Sequence, residues 1–365
     1  MHTWKIINGS VFTGDGWVDQ PLLGTDNGRI VHVEAGHGPG DRLLDLQGGH
    51  LVPAFIDIQL YGGNGLLFGE HPSVRSLQAT VDYSRAGGAS LILPTVATNT
   101  NDVVYEAIDA VRQYWAGGGR GVAGLHLEGP FLNKEKKGAH AADRIQAPTV
   151  EAIKKILDYG HGVVRFMTIA PECFSPESLR YLQSTGIILS LGHSNASYER
   201  ATQAFNDGIP LATHLYNAMS GLQHRAPGVV GAVFDHPAAM ASIVADGYHV
   251  DAAAIRIAKK IMGDRLFLIT DAVTESDEGY YRHIRQGDRF VMPDGTLSGS
   301  ALTMRKAVAY CVEQVGIGLD EALRMASMYP ARALGIAAHH GKIAPGYISE
   351  CCILHPDGRS EIRVL

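Results

Sequence analysis

Eight short apolar runs, most of them separated by a stretch that can form a helix, constrain this chain more than any other feature. They are LVPAFIDIQL (51–60), ASLILPTV (89–96), VAGLHLEG (122–129), VVRFMTIAPE (163–172), GIILSLGHS (186–194), LATHLYNA (211–218), MASIVADG (240–247) and RLFLITDA (265–272). Segments such as VRSLQATVDYSRAG, TVEAIKKILDYG and AAAIRIAKKIMG fall between them. Buried strands alternating with helices make parallel β-α units. Eight units over roughly 220 residues is the count of a closed, TIM-like (β/α)₈ barrel. An open doubly wound sheet more often carries a glycine fingerprint after its first strand, and Gly62-Gly63-x-Gly65 is only a weak approximation of one.

The chain ends have another rhythm. Short apolar runs alternate with the turn dipeptides Asn8-Gly9, Asp15-Gly16 and Asn27-Gly28, and Asp357-Gly358 separates two more such runs at the C-terminus. These are the marks of small antiparallel strands. The expectation is a small β-sandwich domain built from 1–50 plus 345–365, around a barrel of 51–344.

At 365 residues, with 45% hydrophobic and 19% charged, the chain has enough material for one large barrel and an appendage. A net charge of −6 gives no electrostatic reason to expect nucleic acid or an anionic membrane. MHTWKIINGS lacks the pattern of a signal peptide, and the apolar runs are too short to span a bilayer. Cys173, Cys311, Cys351 and Cys352 show no C-x-x-C spacing, so they read as buried free thiols in a reducing cytoplasm.

In a barrel of this kind the chemistry sits at the C-terminal ends of the strands. The first run ends in Gln59, the third in His126 and Glu128, the fifth in His193, the sixth in His214 and the eighth in Asp271, while Asp246 and His249 follow the seventh. Each residue alone has a plain packing or capping role. That such residues end five strands of one barrel is far less readily a matter of chance. His126 and Glu128 share a strand face, and that spacing does not decide between them. Glu128 lies closer to the mouth and is preferred, with His126 as packing or as a supporting partner.

Glu128, His193 and His214 make a one-carboxylate, two-imidazole set, which suits a catalytic metal site with an open position. A divalent ion there lowers the pKa of its water and delivers hydroxide at neutral pH. Asp271 is placed to take the water's proton and hand it to a leaving group, and His249 to donate to the developing oxyanion. These are the parts of a metal-dependent amide or ester hydrolase.

Together FIDIQLYGGNG, LHLEGPFLNKEKKGAH, LGHSNA, THLYNAM, HRAPGVVGAV, VADGYHVD, LITDA, LSGSALTM and MYPARALG resemble the amidohydrolase superfamily, and within it the N-acetylglucosamine-6-phosphate deacetylase family. The resemblance implies hydrolysis of the acetamide of N-acetylglucosamine 6-phosphate. It assigns Glu128, His193 and His214 as metal ligands, Asp271 as general base and acid, and His249 as the group polarising the acetyl carbonyl. Ala139, His140, Asn217, Ala218 and Arg225 would hold the sugar phosphate. Asp246, Gly247, Tyr248, Leu302, Thr303 and Met304 would line the same pocket. Arginine at the position of Arg225 reaches the neighbouring subunit's site in that family, so the resemblance also implies a homodimer.

Many amidohydrolases carry His-x-His at the end of the first strand for a second metal. Gln59 and Tyr61 stand there in this chain, and an amide and a phenol are poor ligands for a transition ion. The fourth run also offers no lysine for carboxylation. One divalent ion per subunit is therefore expected, Zn²⁺ or Fe²⁺, with Gln59 touching its water. The family often has asparagine where Tyr61 stands, and GYISECCILHPDG departs from its usual C-terminal pattern. The galactosamine epimer or another N-acyl sugar phosphate is the alternative substrate, and a non-catalytic barrel scaffold the remote one.

Overall fold

The computed structural model describes every residue except His37 and Pro39. Eight parallel strands form one sheet in chain order: β1 (Phe55–Leu60), β2 (Ala89–Ala97), β3 (Leu125–Glu128), β4 (Val164–Ile169), β5 (Ile188–Leu191), β6 (Leu211–Ala212), β7 (Met240–Val244) and β8 (Leu266–Ile269). The sheet closes where Leu60 bridges Ala272, with Tyr61 N donating to Ala272 O at 2.8 Å and Asp271 N to Gln59 O at 2.9 Å. This is the (β/α)₈ barrel that the eight apolar runs predict. Strands as short as β6 suffice because the interior residues of neighbouring strands, such as Leu211, Ala212, Ala241 and Ile243, are fully excluded from solvent.

The helices between strands start on side-chain caps. Ser73, Thr100, Thr149, Ser175, Ser197 and Asp251 each accept from a backbone N–H one turn into the helix that follows. Such caps fix where each loop ends, and so set the length of loop left over at the barrel's mouth.

The apolar run 51–60 divides between two sheets. His50–Pro53 pairs with Glu350–Leu354 and Ser10–Phe12 in a five-stranded sheet that also holds Trp17–Asp19 and Ser360–Val364. Pro53 has no N–H to extend that ladder, and the chain turns at Ala54 into β1. A four-stranded sheet (Arg29–Ala35, Pro21–Asp26, His2–Ile7, Arg42–Asp45) faces the five-stranded one. Ile6, Leu23 and Ile30 from the first and Val11, Leu51 and Ile353 from the second form a core separate from the barrel's. Of the four free cysteines, Cys311, Cys351 and Cys352 are buried as expected, but Cys173 is exposed. No helix among the described residues is long and apolar enough to cross a membrane.

Between β8 and the next helix a three-stranded antiparallel insertion (Ile284–Gln286, Arg289–Val291, Leu297–Ser300) folds back on the mouth. Ser300 N donates to Asp271 O at 3.0 Å and Val273 N to Ser300 O at 3.1 Å, so its last strand continues the edge of β8.

The seam between β1 and β8 is stitched by Asp57. Its carboxyl accepts from Thr270 N at 3.2 Å, from the Thr270 hydroxyl and from Gln59 N at 3.3 Å. Burial pushes this carboxyl up to about 7, against the hydrogen bonds from Thr270. A raised folded-state pKa means that the native form keeps a proton which the unfolded chain releases. Stability is therefore full below the unfolded value and is lost as pH rises toward about 7. Asp57→Asn cannot ionise. Relative to wild type its stability in urea should improve between pH 4 and pH 7, by on the order of a few kcal/mol in total, and then level off. A pH-independent difference between the two proteins would contradict this account of the seam.

Candidate metal centre and active site

Four residues at the ends of β3, β5 and β6 and in the loop after β3 meet in one cluster. Glu128 Oε1 lies 3.0 Å from His214 Nε2 and 3.2 Å from His193 Nε2, and the two imidazole nitrogens are 3.1 Å apart. Oε2 of the same carboxylate lies 3.0 Å from His140 Nε2 and accepts the Tyr61 hydroxyl. Glu128, His140 and His193 can together hold a metal by the proximity of their ligand atoms. His214 is as close to Glu128 as His140 is.

Tautomers separate the two histidines. The Thr98 backbone N–H donates to His140 Nδ1 at 3.2 Å, so that nitrogen carries a lone pair. The proton of neutral His140 is then on Nε2, pointing at Glu128, and no lone pair is left for a cation. His193 is the reverse. Its Nδ1 lies 2.9 Å from the Lys136 carbonyl, which can only accept, so Nδ1 carries the proton and Nε2 the lone pair. Burial, reinforced by His140, pushes His193 down to about 4 and keeps it neutral at pH 7. A bare imidazole nitrogen therefore faces a carboxylate oxygen at 3.2 Å with no proton between them. Two acceptors at that distance call for a cation. Ligand distances of about 2.0–2.2 Å in a tetrahedral site put ligand atoms roughly 3.3 Å apart, and the 3.0–3.2 Å triangle of Glu128, His193 and His214 is close to that spacing.

Burial alone would raise the Glu128 carboxyl, but the imidazoles of His193 and His140 outweigh it and hold the group well below the usual carboxylate range. Burial lowers His214, while its bond to Glu128 more than compensates and leaves it raised. Its Nδ1 is buried with no hydrogen-bond partner among the described residues.

The backbone at these positions is strained. His193, His214 and Asp271 have φ of +47°, +35° and +54°, a left-handed conformation unusual for non-glycine residues. Each is held by hydrogen bonds: Asn133 N to His193 O at 3.0 Å, His214 N to Ser242 Oγ at 2.8 Å, and Asp271 N to Gln59 O at 2.9 Å. The strain turns each side chain off its strand into the mouth.

Gln59 is buried beneath the site. Its Nε2 is 2.9 Å from Glu128 Oε1, 3.0 Å from Asp271 Oδ1 and 2.8 Å from the Tyr61 hydroxyl. Burial raises the Asp271 carboxyl despite nearby His214 and His249. His249 Nδ1 is 2.6 Å from Asp246 Oδ2, and its Nε2 faces Asp271 Oδ2 at 3.9 Å. Asp246 also accepts from the N–H groups of Tyr248 and His249, both at 2.8 Å. Burial would raise Asp246, but His249 outweighs it and leaves the carboxyl lowered.

Glu128, the histidines around it, His249 and Asp271 open onto one cavity at the mouth of the barrel. Glu128, Ala139, His140, His193, His214, Asn217, Ala218, His249 and Asp271 form part of its wall. The other sequence-assigned positions lie elsewhere. Asp246 holds His249 from behind, Gly247 stands between them in the chain with φ of +77°, and Tyr248 packs against the Arg289 guanidinium. Thr303 caps the helix Met304–Tyr310, and Leu302 and Met304 are core residues. Arg225 is exposed on the loop before Gly228–Asp235. His126 is a packing residue, with Nδ1 3.0 Å from Ile58 O and Nε2 2.8 Å from the Thr168 hydroxyl.

Sequence reading missed further lining residues of this cavity: Leu67, Glu70, Asn99, Tyr281, His283 and Ser298. Tyr281 is anchored by its N–H on Glu70 at 3.1 Å and its hydroxyl on Thr98 O at 2.6 Å. The segment that carries it, AVTESDEGYYRH, has no strand or helix period to mark it.

A model of the amidohydrolase family matches residues 50–357. The chain belongs to the amidohydrolase family. It is 36% identical over 349 residues to the N-acetylglucosamine-6-phosphate deacetylase of Haemophilus influenzae, covering 91% of this chain and 90% of that one. It is also 36% identical, over 322 residues, to the N-acetylgalactosamine-6-phosphate deacetylase of a Shewanella species, covering 86% and 81%. The crystal structure of N-acetylglucosamine-6-phosphate deacetylase from Pasteurella multocida superposes with a TM-score of 0.93 at 34% identity, over 99% of this chain and 98% of that one. The amidohydrolase barrel is thus matched in sequence and in shape along nearly its full length.

The tautomers of His140 and His193 can be tested directly. His193→Asn and His214→Asn should each lose stoichiometric metal on gentle purification. His140→Asn should keep it, with affinity weakened about 10–100-fold as for the loss of a supporting hydrogen bond. Elemental analysis of the three variants decides which pair of histidines binds.

Proposed function

We propose that this protein hydrolyses the acetamide of N-acetylglucosamine 6-phosphate to glucosamine 6-phosphate and acetate, using one divalent metal ion held by Glu128, His193 and His214. The observation that carries the reading is the span of Gln59. One amide nitrogen within 3.0 Å of both Glu128 Oε1 and Asp271 Oδ1 keeps a free carboxylate beside the triangle of ligands. The Haemophilus and Pasteurella relatives support the substrate.

A bound zinc or iron ion supplies Lewis acidity and hydroxide at neutral pH. Asp271 takes the proton of the attacking water and returns it to the departing amine. Burial raises its carboxyl toward the operating range, which favours both transfers. His249, fixed through Nδ1 by Asp246, turns Nε2 to the cavity, and with both ring nitrogens protonated it donates to the carbonyl oxygen as charge develops there. Ala139, His140, Asn217 and Ala218 form the wall that would receive the sugar. Arg225 lies outside its own cavity wall, in keeping with a homodimer in which it reaches the neighbouring site and grips the phosphate through its planar guanidinium. Three buried free thiols fit a cytoplasmic setting.

The galactosamine epimer is the second reading, because the Shewanella relative is as similar as the Haemophilus one. Side-by-side kcat/KM on the two sugar phosphates ranks them.

Purified protein with one equivalent of zinc or iron should release acetate from N-acetylglucosamine 6-phosphate and stop on chelation. Asp271→Asn should lower kcat by about 10²–10⁴-fold while retaining the metal. Absence of acetate release from either epimer by the metal-loaded protein would falsify the assignment. Arg225→Ala should raise KM by roughly 10–100-fold, the worth of one charge-assisted contact, with a smaller change for unphosphorylated N-acetylglucosamine. An unchanged KM would remove the arginine from the phosphate site.

A further inference from the structure

We infer that Tyr61 is a positioning residue which, with His140, occupies Oε2 of Glu128 and so leaves the carboxylate to bind its cation through Oε1 alone. The inference rests on the ligand set proposed above.

The hydroxyl's orientation follows from its neighbours. Glu128 Oε2 can only accept, so the Tyr61 hydroxyl turns its hydrogen to it, while the Tyr61 oxygen lies 2.8 Å from Gln59 Nε2. His140 brings a second N–H to the same oxygen at 3.0 Å, its proton placed on Nε2 by the Thr98 amide. Oε2 thus receives two donors, while Oε1 accepts one, from Gln59 Nε2 at 2.9 Å, and faces the imidazole nitrogens of His193 and His214 at 3.2 and 3.0 Å. A carboxylate held this way has one oxygen directed at the cation. A released one can turn both oxygens onto it and take up the position that a catalytic site must keep open.

The Tyr61 ring is itself anchored. It packs with Leu67, Val273 and Phe290, a small cluster apart from the barrel core. Its backbone is held on both sides, N–H to Ala272 O and C=O from Phe68 N, each at 2.8 Å. The hydroxyl is therefore delivered from a rigid position on the cavity wall. The same exposure on that wall defines the rival role, a direct contact with substrate, and the two make different predictions.

Tyr61→Phe removes the hydroxyl and leaves the ring. The positioning role predicts that the dissociation constant for Zn²⁺ or Co²⁺, measured by competition with a chelator, rises about 10–100-fold. It also predicts that the visible spectrum of the Co²⁺ form loses intensity as the coordination number increases, and that at saturating metal kcat falls while KM stays near wild type. Unchanged metal affinity and spectrum, or a rise confined to KM, would overturn it. An equal melting temperature for the metal-free forms of both proteins shows that the fold is intact. A crystal structure of wild-type protein loaded with cobalt gives a check that needs no variant, since both Glu128 oxygens within bonding distance of the ion would sink the proposal. Should wild type retain no ion at all, or His193→Asn keep the full complement, the ligand set itself fails. That outcome is distinct from a normal metal site that ignores the loss of the Tyr61 hydroxyl.

Discussion

The negative charge of Glu128 is the constraint around which the mouth of the barrel is organised. A carboxylate with 2% of its surface exposed must be compensated by donors or a cation. Three groups donate to it, Gln59 Nε2, Tyr61 Oη and His140 Nε2, and the Nε2 atoms of His193 and His214 lie within 3.2 Å of Oε1. They come from the ends of β1, β5 and β6 and from the loop after β3, so only a closed barrel can assemble them. The Asp57–Thr270 seam and the Leu60–Ala272 bridge are therefore conditions for the site as much as for the fold. A metal held there would complete the compensation, because the His193 lone pair adds no positive charge of its own.

Holding these side chains in place costs backbone strain. Left-handed conformations at His193, His214 and Asp271, none of them glycine, cost on the order of 1–3 kcal/mol each. Packing of the barrel core offsets that cost, and the hydrogen bonds from Asn133, Ser242 and Gln59 keep it from relaxing. Tyr216 and Ala218, at +80° and +49°, extend the same strain along the loop after β6. A chain segment so constrained has little freedom to rearrange when ligands arrive. The geometry in hand is thus preorganised for chemistry.

Much of this was legible in the amino-acid sequence because barrel strands and their C-terminal residues obey a simple period. Eight apolar runs announce the sheet, and Glu128, His193, His214 and Asp271 stand where those runs stop. The legible part ends where roles depend on hydrogen positions. His126 and Glu128 share a strand face, and only the Ile58 carbonyl and the Thr168 hydroxyl show that His126 has both nitrogens occupied. His140 reads as a sugar-phosphate contact by resemblance, yet the Thr98 amide turns its second nitrogen onto Glu128. Leu302, Thr303 and Met304 border the insertion in sequence, but helix capping and core packing draw them away from the cavity wall. Tyr281 and His283 reach that wall from a segment without periodicity, where only tertiary contacts could reveal them.

The positions that hold His-x-His in many relatives bear on how many ions the mouth can take. Gln59 and Tyr61 point N–H and O–H groups at Glu128 and Asp271, so a second cation between the carboxylates would meet hydrogens in place of lone pairs. Beneath them the barrel interior is already satisfied. His126 Nδ1 must donate to the Ile58 carbonyl, which makes Nε2 an acceptor for the Thr168 hydroxyl at 2.8 Å. Thr168 oxygen can then accept from Thr213 at 2.9 Å, and Thr213 from Ser190 at 2.6 Å. This belt runs through β5, β6, β4 and β3 to β1, with every proton directed toward the Ile58 carbonyl. A polar floor of that kind uses its hydroxyls on one another and offers none upward as a ligand. The donors of β1 and the belt beneath them together favour a single ion, on the side of Glu128 where Oε1 faces His193 and His214.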